Sequence, residues 1–316
     1  VTTPPTRVVV VGDVALDVVA AHSGPIVHGG DSRARITVTT GGAGANTAAW
    51  LAWCGVDATL VARVGEDLAG RRAREELTAA GVRCAFTVDR ANPTCCVVVL
   101  VDAAGQRSML PDRGAGARAV LADLDPALLA EADHLHLSGY LLLDEGTADV
   151  GLAMLAAARS AGLTTSVDPQ SAALITDPAR FVEQLRGTDL LLPNLDELAA
   201  LTGSRDPASA AALLDTVGAV AVSTGADGAS WVGRGRCAAV PAAPGCLVDT
   251  TGAGDAFDAG VLAAWLAGAD PEQSLRSGVR LGTLAVGRVG AQPPRSDPRR
   301  PATDPAGRPG LPVSPR

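Results

Sequence analysis

Apolar residues along this chain follow two rhythms in turn. Short unbroken runs of Val, Leu and Ala, the mark of strands buried on both faces, give way to stretches with the 3.6-residue period of helices. The first run, Arg7-Val8-Val9-Val10-Val11, stops at Gly12-Asp13. Further strands are expected over 58–61, 133–137, 164–167, 189–192 and 219–223, and helices over 69–80, 151–160, 179–185, 195–201 and 273–286. Alternation of this kind predicts a largely parallel sheet with helices on both faces. Two regions break the rhythm. Residues 34–39 alternate like a half-exposed strand, and 84–88, 95–101 and 107–110 are successive strands with no helix between them. The last two are joined by a hairpin turn at Asp102-Ala103-Ala104-Gly105. With residues 14–39 they predict a small antiparallel flap set into the α/β body.

Composition narrows the chemistry. Of 316 residues 47% are hydrophobic and 19% charged, which describes a globular chain, and with 3% aromatics its core must be built from Val, Leu and Ala. The formal net charge of −8 argues against nucleic acid as the main ligand. The sequence contains no lysine. That removes the P-loop lysine, the kinase strand lysine, a Schiff-base lysine and an adenylating lysine, so phosphate would have to be held by backbone N–H groups, arginine and metal. The six cysteines show no C-x-x-C pair and read as small buried residues of a reducing compartment. The N-terminus shows no signal peptide and no segment is long enough to span a membrane, so a cytoplasmic location is expected. From 294 to 316 Pro, Arg, Gly and Ser replace apolar residues, and a disordered tail is expected there.

Candidate site residues cluster where expected strands end. Asp17 follows the first strand, at the edge where open α/β sheets bind ligands. Gly41-Gly42-Ala43-Gly44-Ala45-Asn46 opens a helix with glycines that let a ligand approach the backbone, and Asn46 offers both donor and acceptor to hydroxyls; a purely structural turn is the alternative. Asn194-Leu195-Asp196-Glu197 opens another helix, either as a cap or as a site for ligand or metal. Ser223-Thr224-Gly225 ends a strand. His134 and His136 share one side of a strand and read as a satisfied pair. The densest motif is Asp249-Thr250-Thr251-Gly252-Ala253-Gly254-Asp255-Ala256-Phe257, a glycine turn that opens an apolar helix. Such a turn presents unpaired N–H groups to an anion. Asp255 is then either an N-cap or a base beside a bound phosphate.

Together these motifs resemble the ribokinase-type (PfkB) carbohydrate and nucleoside kinases over about residues 7–293. Gly41-Gly42 with Asn46 is similar to the first family signature, residues 249–257 with Gly260 to the second, and Asn194 to Glu197 to an N-x-x-E element. Gly290-Ala291-Gln292-Pro293 is similar to the end of the bacterial ribokinase body. The resemblance implies a Rossmann-like three-layer α/β/α ribokinase-like fold over 1–293 with a β-sheet lid inserted from about 14–40 and 84–112. It implies transfer of the ATP γ-phosphate to a sugar hydroxymethyl, with Asp255 as base and the amides of Gly252, Ala253 and Gly254 as anion hole. Asp17, Gly41, Gly42 and Asn46 would hold the sugar, and Thr224 and Gly225 would border the nucleotide. Asn194 and Glu197 would organise Mg²⁺ through water. Asp249 and Thr251, with carbonyls near Ala285, Arg288 and Gly290, would hold K⁺. The acceptor stays open among a sugar, a nucleoside and a 2-keto-3-deoxy acid: Ala15 and the stretch Asp112-Arg113-Gly114-Ala115-Gly116-Ala117-Arg118 depart from the ribokinase pattern. Arg113 reads as a solvated lid arginine or as the partner of an acidic acceptor. A homodimer through the lid edge and, in another class, a non-catalytic sugar- or nucleotide-binding regulator complete the expectations.

Overall fold

The computed structural model describes residues 5–103 and 107–294. The expected turn residues Ala104 and Gly105, and the tail from 295 onward, lie outside the described residues. In chain order the strands are β1 (Arg7–Val11), β2 (Ala15–His22), β3 (Ala34–Gly41), β4 (Asp57–Gly65), β5 (Arg83–Asp89), β6 (Cys95–Val101), β7 (Arg107–Asp112), β8 (His134–Ser138), β9 (Thr164–Asp168), β10 (Leu190–Leu191), β11 (Ala219–Ser223), β12 (Ala229–Gly233) and β13 (Arg236–Val240). The helices are α1 (Ala43–Trp53), α2 (Leu68–Ala79), α3 (Pro126–Glu131), α4 (Tyr140–Leu143), α5 (Ala148–Ser160), α6 (Pro178–Gln184), α7 (Leu195–Thr202), α8 (Ala253–Leu266) and α9 (Pro271–Val286).

Nine strands form one sheet in the order β13-β12-β11-β10-β9-β8-β1-β4-β5. It is parallel from β11 to β5, and β12 and β13 add an antiparallel edge. The β-branched run of β1 sits in its interior for a simple reason. Alternate side chains of a strand point to opposite faces, and here both faces are covered. Val8 and Val10 join a core with Trp50, Phe257 and Leu275, whereas Val9 and Val11 join a second core with Leu135, Leu155 and Leu198. The first core lies under α1, α8 and α9, the second under α5, α6 and α7. That is the three-layer α/β/α arrangement. Among the described residues no helix is long and apolar enough to cross a membrane.

The lid is a separate four-stranded sheet, β3-β2-β6-β7. It differs from the expected flap in two ways. The strand expected over 84–88 is β5, which pairs with β4 in the main sheet from Thr59↔Arg83 to Gly65↔Asp89. Helix α2 links β4 to β5 as an ordinary parallel crossover, and β5 reads as flap only because it is a half-buried edge strand. The flap is also not antiparallel throughout, because β2 and β6, distant in sequence, pair in parallel. The histidine pair expected to be satisfied is so at His134, whereas Nε2 of His136 has no partner. His134 and His136 are buried and share Ser166 Oγ, which lies 2.7 Å from His134 Nε2 and 2.8 Å from His136 Nδ1.

Candidate active site

The turn before α8 is held by its own backbone. Gly252 is left-handed at φ 72°, and a Cβ there would come within 2.6 Å of Ala291 Cα, so only glycine fits. No side chain caps α8. Of the amides of residues 253–255, that of Ala253 finds a backbone acceptor outside the helix, Thr250 O at 3.3 Å. Gly254 is exposed and has open space where a Cβ would be. The positive end of α8 therefore faces a free volume with donors to spare.

Asp255, in the first turn of α8, does not cap it. Its carboxylate turns away and Oδ2 accepts from Asn46 Nδ2 at 2.9 Å, in a buried contact between residues 209 positions apart. Burial pushes its pKa up to about 7, while Asn46 works downward and the charge of Asp17 upward. The N-cap reading of this residue is therefore excluded. Asn46 is itself buried, and its Oδ1 has no partner. Asp17, on β2, is raised to about 6 by burial, and its Oδ2 would lie 2.1 Å from a Cβ on Gly41. Gly41 is thus glycine because the Asp17 carboxylate lies against it. Packing requires glycine at Gly42 (φ 96°) and Gly44, since Cβ atoms there would meet Asp13 O at 2.5 Å and Gly12 C at 2.8 Å.

Asn194 and Glu197 form a closed capping box on α7. Asn194 Oδ1 accepts from the amides of Asp196 (2.8 Å) and Glu197 (2.9 Å), and Glu197 accepts from the amide and side chain of Asn194 at 2.9 and 2.6 Å. Burial still raises Glu197 to about 7. Two acids that the sequence reading passed over complete this side. Asp168 ends β9, and Asp258 lies one turn after Asp255 on α8; both are buried. Burial first, and then the charges of Glu197 and Asp255, raise Asp168 well above the carboxylate range, against hydrogen bonds from Gln170 and Asp258 that lower it. Burial first, and then the charge of Asp168 and the hydrogen bond to it, raise Asp258 as well, so that a protonated Asp258 donates to Asp168. Asp258 Oδ2 has no partner. The strand-end rule that picked Asp17 also fits Asp168, and helical spacing from Asp255 marks Asp258. Among the described residues no three His, Cys, Asp or Glu side chains form a ready metal cage. Glu197 and Asp168 are buried acids whose oxygens already accept from Asn194 and from Gln170, so they suit a Mg²⁺ only through water, as an ion that arrives with its own phosphate ligands.

Thr224 and Gly225 follow β11, and Thr224 with Leu195 and Asp227 borders a cavity of about 530 Å³. Arg113 is neither solvated nor available to an acceptor. It bridges Asp13 (3.0 Å) and Asp144 (3.2 Å) and donates to Tyr140 O at 2.8 Å. Of the five expected K⁺ ligands, Asp249, Thr251 and Ala285 are likewise engaged. Asp249 Oδ1 accepts from the amide (2.9 Å) and hydroxyl (2.6 Å) of Thr251 and from Arg107 at 3.2 Å, and Oδ2 accepts from the Gly290 amide at 3.0 Å. Ala285 O accepts from the Arg288 amide at 3.2 Å. A free cation does not fit a carboxylate so occupied.

Comparison with known proteins decides the family. The pattern of the pfkB family carbohydrate kinases matches residues 5–298. The chain belongs to this family. An ATP-dependent ribose-1-phosphate kinase of Halopiger xanaduensis is 35% identical over 253 residues, which is 80% of this chain and 82% of that protein. The ribokinase of Arabidopsis thaliana solved with ribose and ATP superposes with TM-score 0.77 at 26% identity, covering 92% of this chain and 97% of its own. A chain from E. coli solved with ATP and Mg²⁺ shares the fold at TM-score 0.81 and 24% identity, covering 90% and 94%. This pfkB-family chain is accordingly an ATP-dependent phosphotransferase that acts on an alcohol group of a sugar.

Proposed function

We propose that the acceptor is the hydroxymethyl group of an uncharged sugar and that Asp255 takes its proton. The observation that carries this is the Asn46–Asp255 pair, a base poised near neutrality at the mouth of an anion-binding helix. A carboxylate of ordinary pKa is a weak base towards an alcohol; one raised to about 7 is better matched and still half ionised at neutral pH. In this reading Asp17 accepts from sugar hydroxyls, and the free Oδ1 of Asn46 accepts another. The amides of Gly252, Gly254 and, on release from Thr250 O, Ala253 bind the transferring phosphoryl group, where charge stabilisation accounts for most of the catalysis. Thr224 and Gly225 border the nucleotide. Glu197 and Asp168 would hold Mg²⁺ through water, and the ion would supply positive charge to the phosphates when bound. Lid closure excludes water as a competing acceptor. The exposed apolar residues Ile36, Val38, Met109 and Leu110 on β3 and β7 support a lid-mediated homodimer.

A second reading, a sugar 1-phosphate acceptor, is favoured by the 35% identical relative. It would require Arg113 to release one of its two carboxylates. An ATP-consumption panel of ribose, fructose, ribose 1-phosphate, 2-keto-3-deoxygluconate and adenosine separates the two. Asp255→Asn should lower kcat on the accepted substrate by about 10²–10⁴-fold with little change in KM. Turnover that survives that substitution would sink the assignment of the base.

A further inference from the structure

Arg107 begins β7 in the lid, and its guanidinium lies on the loop that leads into α8. Nη1 donates to Asp249 Oδ1 at 3.2 Å and, at close range, to Thr251 Oγ1, across 142 and 144 positions of sequence. The ion pair is mostly sheltered, with about a fifth of each side chain exposed (23% and 22%). Thr251 also donates to the same Asp249 oxygen, and the Gly290 amide holds the other. One positive charge thus ties together a threonine, a carboxylate and, through that carboxylate, the segment at Gly290 that backs the turn. Although partial burial opposes ionisation, hydrogen bonds from Thr251 and Gly290 and the Arg107 charge keep Asp249 below its ordinary range. A second cation on these atoms would lose Asp249 Oδ1 to the arginine and be repelled by it.

We propose that Arg107 is the resident cation of this loop: its guanidinium, supplied by the lid, sits on Asp249 and Thr251 and orders the anion-binding turn without K⁺. Lid position and turn order are then coupled. When the lid lifts, β7 carries the charge away, Asp249 is left without its counter-ion, and the turn loosens. Arg107 is a positioning residue in this scheme, since it acts through Asp249 and Thr251. The inference rests on the proposed nucleotide site at the α8 turn.

The test compares wild type, Arg107→Gln and Arg107→Lys in buffers of equal ionic strength, made with KCl or with tetramethylammonium chloride, whose cation is too bulky for the loop. Calorimetric titration with a non-hydrolysable MgATP analogue gives Kd without any need for the sugar, and turnover on the accepted sugar gives kcat. Wild type should agree within about twofold between the two salts, and Arg107→Gln should lose about tenfold or more in tetramethylammonium and regain most of it in KCl. Arg107→Lys, which keeps the charge, should stay indifferent to K⁺. Activation of wild type by K⁺ beyond about fivefold overturns the proposal. So does an Arg107→Gln protein that is unimpaired without K⁺, or one whose loss K⁺ does not restore, because the arginine would then act elsewhere. Absence of analogue binding to wild type in both salts removes the nucleotide site itself, and this inference with it.

Discussion

At Asp255, burial and two neighbours act on one carboxyl with opposite signs. Burial and the charge of Asp17 raise its pKa, and the Asn46 hydrogen bond lowers it. In the proposed function the ionised form is the base, so kcat/KM should climb as pH rises through an apparent pKa near 7. Asp17 titrates close by at about 6, so the limb belongs to the pair rather than to one residue. Asp17→Asn removes a negative neighbour and should move the limb to lower pH; a limb that stays in place would assign it to another group, Glu197 first. Gly41 gives a second handle on the same pair. A methyl group there would occupy the place of the Asp17 carboxylate, 2.1 Å from Oδ2. Gly41→Ala should therefore raise KM for the sugar by about tenfold or more while kcat falls less, because the base on α8 is untouched. That Gly41 matters was legible in the glycine run; that it matters because of Asp17 was not, since only the β2–β3 pairing places Asp17 opposite Thr39, two residues from Gly41.

The helix starts divide between two kinds of work. At α7 the sequence Asn194-Leu195-Asp196-Glu197 satisfies every demand of a capping box, and at α8 the first turn is left open. Substitutions separate capping from charge at α7. Asn194→Ala removes the cap acceptor and should cost about 1 kcal/mol, a Tm lower by about 2–4 °C. Glu197→Gln keeps an acceptor for the Asn194 amide, so its Tm should hold while kcat falls if the charge serves Mg²⁺; equal Tm and equal kcat would reduce Glu197 to a cap. Element boundaries were readable where the pattern had one cause. The unbroken valines of β1 and the Gly81 end of α2, left-handed at φ 91°, sit where periodicity and turn chemistry put them. Strand β5 was misplaced because a half-buried edge strand and a flap strand carry the same alternation, and only pairing with β4 tells them apart. The ending Gly290-Ala291-Gln292-Pro293 was legible as a motif but silent as a mechanism. In the fold it backs the anion turn: the Gly290 amide holds Asp249, Ala291 packs on Gly252, and Ala291 O accepts from Trp50 Nε1 at 2.9 Å.

Across the whole molecule, the two cores and the parallel order follow from apolar patterning, whereas the charge balance of the site emerges only when distant strands and helices converge. Burial raises Asp17 to about 6 and Asp255 and Glu197 to about 7, all above their ordinary values. Each such group binds its proton more tightly folded than unfolded. The stability it contributes is complete below the unfolded pKa, near 4, and is lost as pH rises through 6 to 7. His134 and His136 pull the other way. Burial lowers them to about 3 and about 4, so folding must exclude their protons as pH falls below 6.5. The Tm profile of wild type is therefore a compromise that no single group explains, but a difference between two proteins isolates one. Asp255→Asn preserves the shape of the side chain and an acceptor for Asn46, and it leaves the histidines as they are. Its stability gain over wild type should be largest at pH 8 and shrink by about 1.4 kcal/mol for each unit below pH 7, vanishing near pH 4. Paired denaturant melts at pH 5 and pH 8 measure it. A gain that does not depend on pH would mean that Asp255 is not held near neutrality by its burial, and the matched base at the centre of the proposed chemistry would go with it.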